Sequence, residues 1–129
     1  MLGRLGRVAA VAAVAVAVGA GIAARAAFGV CVIDGASMRP VLQPADVVFT
    51  ERHPASVRAG DIVVVPRPGW PSGVAHRVVS VCGPLLTLRG DANPVADRDP
   101  VRTDAVLGRV VARMPTGAFV GAVAGWSAR

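Results

Sequence analysis

The sequence predicts a mostly β protein: one N-terminal transmembrane helix, then a small antiparallel, partly barrel-like β domain. Three observations lead there. A long apolar run without charge opens the chain, short β-branched runs alternate with turn residues after it, and the apolar content is Val and Ala with few aromatics. Such small, β-branched side chains pack well on pleated surfaces. Ten Pro and fifteen Gly cut the chain into short pieces, as a sheet with many turns requires.

The opening run is Val8–Ala24, 17 residues without a charge. As a helix it spans roughly 26 Å, a little short of a ~30 Å hydrocarbon core. Extension back through Leu5, with Arg4 and Arg7 reaching to the interface, closes the gap. Five Val and one Ile favour insertion by on the order of 2 to 4 kcal/mol, and the Ala and Gly add little. A cleavable export signal competes with this reading, because Ala24-Arg25-Ala26 has the form of a processing site. The run exceeds the usual 7–15 residues of such a signal, which favours a retained anchor. Arg4 and Arg7 mark the cytoplasmic side under either reading, so the remainder is expected on the extracytoplasmic face of the cell membrane.

Beyond the anchor, the expected strands are Phe28–Ile33, Val47–Glu51, Asp61–Val65, Val74–Val81, Leu85–Arg89 and Val106–Arg113. Each is bounded by Gly, Pro or Asp, and the spacing suits an all-β sheet or partly closed barrel. Arg67–Gly73 and Ala92–Asp104 read as loops. The expected division is residues 1–27 as tip and anchor, 28–115 as the β domain and 116–129 as an apolar tail. That tail carries Phe119 and Trp126 and is too short to cross a bilayer. It either packs on the sheet or lies at the membrane interface.

The net charge is +6 and all 14 basic residues are Arg. They are scattered, with no basic run and no interleaved aromatics, which argues against nucleic acid and for an anionic membrane surface. Cys31 and Cys82 lack metal-ligand spacing, and two residues so far apart leave a disulfide undecided. No metal or other cofactor is expected.

With neither Lys nor Tyr in the chain, a serine nucleophile has only His53 and His76 as neutral-pH bases. His53, in Arg52-His53-Pro54, reads as a surface turn. His76 lies inside an apolar strand and by alternation shares a face with Val74, Val78 and Ser80, while Arg77 points away. It is either a satisfied core residue or a general base. Ser37 follows the first strand in Asp34-Gly35-Ala36-Ser37-Met38-Arg39-Pro40, either a turn serine or a nucleophile at a strand-to-turn junction. The third element, Gly90-Asp91-Ala92-Asn93 with Asp97 and Asp99 after it, either solvates itself or brings one carboxylate to the histidine.

In order, Gly-x-Ser-Met-x-Pro, Gly60–Val65, His76–Val79, Gly90-Asp91-x-Asn93, a later Asp and Val106–Val111 resemble the type I signal peptidases. The resemblance runs from Ile33 to about Met114 and is to the endoplasmic-reticulum and archaeal subtype, which pairs serine with histidine. It implies the partly barrel-like sheet of those enzymes and a membrane-bound serine endopeptidase (a hydrolase) that removes signal peptides from secreted preproteins, cutting after small residues. It also implies Ser37 as nucleophile, His76 as base and Asp97 as the supporting carboxylate. Asp91 is the turn aspartate, either a second functional carboxylate or structural, and Asp99 has no counterpart. The family's Pro-Gly-Asp is Pro44-Ala45-Asp46 here. A serine hydroxyl found in some members two residues before the nucleophile is replaced by Gly35, so an oxyanion would rely on backbone N–H, foremost that of Ser37. Two other readings stay open: a self-cleaving, repressor-like peptidase, and an inactive exported β module that binds a partner.

Overall fold

The computed structural model describes residues 3–120. Helix α1, Arg4–Ala27, has none of its side chains buried and contains an 18-residue window of mean hydropathy 2.0. It is long and apolar enough to cross a membrane. At 24 residues it measures about 36 Å, which removes the shortfall expected from Val8–Ala24 alone. The extra length takes in Arg4 and Arg7 at one end and Arg25 at the other. Phe28 leaves helical geometry, and its N–H still donates to the Ala24 carbonyl as the chain turns into a strand without a linker.

The strands are β1 (Phe28–Val32), β2 (Val47–Arg52), β3 (Ile62–Arg67), β4 (Trp70–Cys82), β5 (Leu85–Arg89), β6 (Val101–Arg102) and β7 (Gly108–Met114). They form one antiparallel sheet in the order β1-β2-β7-β3-β4-β5-β6. The sheet is open, with β1 and β6 at its edges, so the barrel-like expectation stops short of closure. β3 lies at the centre, and Val63, Val64 and Val65 are all buried, as a strand covered on both faces requires.

Two apolar clusters fill the interior. Val63, Val65, Val78, Leu86, Leu88 and Val106 form one; Met38, Leu42 and Val48 form the other, with Cys31, Ile33, Ile62 and Val110 packed against it. Each fully buried side chain of this size stabilises the fold by roughly 1.5–3 kcal/mol. β-branched Val supplies six of the ten buried apolar side chains, as expected, but the larger Met38, Leu42, Leu86 and Leu88 supply the rest.

Three local features depart from the sequence reading. Arg67–Gly73 is no loop: β3 and β4 continue to a tight turn at Arg67-Pro68-Gly69-Trp70, where Gly69 has φ +82. Pro followed by a positive-φ Gly is the signature of a type II turn. The register shifts between Val65 and Arg67, the place where Pro66, lacking an N–H, can sit in a strand. A second register shift between Val78 and Ser80 moves Ser80 to the opposite face from His76 and Val78. The expected loop Ala92–Asp104 holds the short edge strand β6 and a 3-10 turn, Thr103–Ala105. Of the apolar tail, residues 116–120 are helical and Phe119 is exposed, while Trp126 lies outside the described residues.

Candidate active site

Ser37 is positioned from both sides. The β1–β2 ladder is prolonged by Ile33 N–H donating to the Asp46 carbonyl and Ala45 N–H to the Ile33 carbonyl. After it the chain turns, and Met38 is driven into the second core cluster, anchoring the turn beside Ser37. From the other side, Ala92 N–H donates to the Ser37 carbonyl at 2.8 Å. This contact needs the glycine at position 90, because a Cβ there would stand 2.7 Å from that same oxygen.

His76 sits on β4 opposite Val63 of β3, and its side chain is only 4% exposed. Its Nε2 lies 3.1 Å from the Ser37 Oγ and its Nδ1 lies 2.6 Å from the Asp97 Oδ2. An ionised carboxylate only accepts, so the ring proton belongs on Nδ1, and the Nε2 lone pair faces the serine hydroxyl. Asp97 is held by its own N–H, which donates to the Leu88 carbonyl at 2.7 Å, and its side chain is 9% exposed. Residues 39 and 21 positions apart in sequence thus meet as serine, imidazole and carboxylate in one hydrogen-bonded line.

Asp91 does not join that line. Its carboxylate takes two hydrogen bonds from Arg77, at 2.8 and 2.7 Å, and Arg77 also donates to the Gly60 carbonyl. Those bonds hold the Asp91 carboxyl below the usual carboxylate range, outweighing the opposing effect of burial, and raise the Arg77 guanidinium further above its own. The pair ties the acidic loop to β4 next to His76. His53 is exposed, as expected of a surface turn, and Asp99 is exposed as well. Among the described residues no cluster of three His, Cys, Asp or Glu could hold a metal ion. Cys31 and Cys82 are both free thiols, Cys31 half-buried on the groove wall and Cys82 exposed at the end of β4.

The sequence reading missed Arg67. Its guanidinium donates to the same Asp97 Oδ2 at 2.9 Å. The available signal was the Arg-Pro-Gly-Trp turn, which fixes Arg67 at the corner of a hairpin rather than in a loop.

Beside the serine lies a groove of about 540 Å³, lined by residues 31–38, by Trp70–His76 and by Val64, Arg67 and Asn93. Two strand edges border it. Among the described residues, β1 pairs only with β2, and the part of β4 before Arg77 pairs only with β3. An extended peptide laid in the groove would find backbone groups to pair with, the mode of recognition known as strand addition.

A serine hydroxyl in line with an imidazole and a carboxylate, beside a groove bordered by strand edges, is an arrangement that serine peptidases use. The family model described as signal peptidase, peptidase S26, matches residues 5–114. The chain belongs to the signal peptidase S26 family. It is similar to mitochondrial inner membrane protease subunit 1 of Mus musculus, at 33% identity over 82 residues, which are 60% of this chain and 49% of that one. To the Homo sapiens protein of that name it is 36% identical over 66 residues, 49% of this chain and 36% of the relative. The chain thus spans half or less of the length of these relatives. This S26 member also explains its own departure at Pro44-Ala45-Asp46. Ala45 holds φ +67, a left-handed conformation that glycine adopts without strain. Asp46 is fully buried and accepts from the Gln43 and Gly117 N–H groups, so the turn is fixed by its aspartate.

Proposed function

We propose that this chain is a membrane-bound serine endopeptidase that removes signal peptides from exported preproteins, cutting after small residues. The observation that carries the reading is the Ser37–His76–Asp97 line, with contacts of 3.1 and 2.6 Å and a nearly buried imidazole. In this reading His76 Nε2 accepts the Ser37 proton as Oγ attacks the scissile carbonyl. Asp97 keeps the Nδ1 proton in place and stabilises the imidazolium. The imidazolium then returns a proton to the leaving amine of the mature protein. Water, deprotonated by the same base, releases the signal peptide from the acyl-enzyme. The Ser37 N–H makes no hydrogen bond to the described residues and is the donor assigned to the oxyanion.

Preference for small side chains is supported by the groove lining, where Val64, Val74 and Ala75 are carried on paired strands and Ile33 directly follows β1. Wide side chains would have to displace strand residues rather than flexible ones. Helix α1 supports a single-pass anchor, with Arg4 and Arg7 keeping its N-terminus on the cytoplasmic side and the β domain on the far side.

The test is cleavage of a signal-peptide substrate by the full chain in detergent or liposomes. Ser37→Ala and His76→Ala are each expected to lower kcat by at least about a thousandfold while leaving the β-sheet circular dichroism unchanged. Turnover in either variant near the wild-type value rules out this serine–histidine assignment. An inert wild-type chain that still captures peptides would favour the binding-module reading instead.

A further inference from the structure

We propose that Arg67 is a positioning residue of this site: its guanidinium holds the Asp97 carboxylate against His76. The inference rests on the serine–histidine reading above. Asp97 lies in a stretch, residues 90–100, that contains no strand, and one backbone bond to Leu88 fixes its main chain. Its Oδ1 accepts nothing from the described residues, and everything that orients the carboxylate acts on Oδ2. There Arg67 at 2.9 Å and His76 at 2.6 Å are the two donors. Remove Arg67, and the carboxylate of a loop residue is left to swing about its own side-chain torsions on a single contact.

Arg67 is built to be still. Pro66 and Pro68 flank it, and the type II turn at Pro68-Gly69 closes on the Arg67–Trp70 pair, so its backbone is set by two rings and a hairpin. The charges nearest His76 come from three elements: Asp97 from the acidic loop, Arg67 from the hairpin, and Arg77 with Asp91 beside β4. The Arg77–Asp91 pair is satisfied within itself and with Gly60, which leaves Arg67 as the cation that acts on Asp97. Because Arg67 makes its contact through one nitrogen only, a lysine ammonium can stand in for it.

The experiment is steady-state cleavage of one signal-peptide substrate by the full chain carrying Arg67→Gln, Arg67→Lys, Asp97→Asn and Arg67→Gln with Asp97→Asn. Arg67→Gln is expected to lower kcat by about tenfold to a hundredfold, the worth of one charge-assisted hydrogen bond, with KM within about twofold. Arg67→Lys recovers most of that loss, and Arg67→Gln adds little once Asp97 is already Asn. Unchanged kcat in Arg67→Gln overturns the proposal. So does a raised KM at constant kcat, which would make Arg67 a substrate contact, or full additivity with Asp97→Asn. Should Arg67→Gln fail to fold, a folded Arg67→Lys at wild-type kcat supports the proposal, and one with kcat as low as Asp97→Asn overturns it. Ser37→Ala, run alongside, separates the cases: if it retains turnover, the underlying reading has failed rather than this inference.

Discussion

Replacing Gly90 by Ala pushes on Ser37, the proposed nucleophile, with a single methyl group. A Cβ at position 90 would lie 2.7 Å from the Ser37 carbonyl oxygen, 3.0 Å from the Ser37 Cβ and 2.7 Å from the Asn93 side-chain nitrogen. Comfortable contacts between such atoms are about 3.5–4.0 Å, so relief requires a shift on the order of 0.5–1 Å. Asn93 can swing aside, but the Ser37 backbone cannot move without stretching the bonds it makes. The Ser37 Oγ stands 3.1 Å from His76 Nε2, and a displacement of that size takes the pair beyond hydrogen-bonding range. Misplacement by ~1 Å costs on the order of a hundredfold, so kcat for Gly90→Ala is expected to fall roughly tenfold to a hundredfold. Overpacking should also cost about 1–3 kcal/mol, lowering Tm by several degrees. Peptide cleavage and thermal denaturation are the assays. Gly35→Ala is the control for stability, since nothing lies within 4 Å of its added Cβ, and its Tm should match wild type. Wild-type kcat and Tm in Gly90→Ala would refute the claim that this contact sets the position of Ser37.

Asp97→Asn should lower kcat by about a hundredfold to ten-thousandfold, whereas Asp99→Asn, exposed and unpaired with His76, should stay within twofold of wild type; equal losses would undo the assignment. Because Arg77 holds the Asp91 carboxyl below its usual range, that pair stabilises the fold fully above the ordinary carboxylate pKa of about 4. Its contribution fades as pH falls through the lower folded value, so the Tm gap between wild type and Asp91→Asn should be constant from pH 7 to about 5 and narrow below about 4. A gap that is flat to pH 2 would mean that the pair contributes nothing. If α1 spans the bilayer, the full chain should stay with membranes through carbonate extraction, and a chain lacking residues 1–27 should be released.

The strands were legible where their physics is local. Phe28, Val30 and Val32, or Leu86 and Leu88, alternate along single strands bounded by turn residues, and those elements lie within a residue or two of expectation. What failed was read through proline. Pro66, Pro68 and Pro71 made Arg67–Gly73 look like a loop, yet Pro66 sits at a register shift and Pro68 at the turn, where a missing N–H costs nothing. The bulge at Val79 was equally invisible, because the extra residue depends on how β4 meets β5 rather than on its own side chain. At the site, Ser37 and His76 stood out because the chain has neither Lys nor Tyr and its other histidine, His53, sits in a surface turn, and the offset of Asp97 came from resemblance. Arg67 escaped because no spacing rule relates a hairpin corner to a carboxylate 30 residues later.

The direct passage from Ala27 to Phe28 turns the first strand into a measuring rod. A flexible linker would let the groove sample many depths above the lipid surface. Here the helix backbone hands over to β1 within one residue, and β1 covers about 17 Å before the chain turns toward Ser37. If α1 spans the bilayer and the groove cleaves as proposed, a peptide bond must arrive at a set height to be cut. Two substrates with the same small residues at the cleavage point would be distinguished by the number of residues between that point and the end of their own membrane helix. Inserting residues between Ala27 and Phe28 should shift which of the two is cut, with every groove contact left as it was.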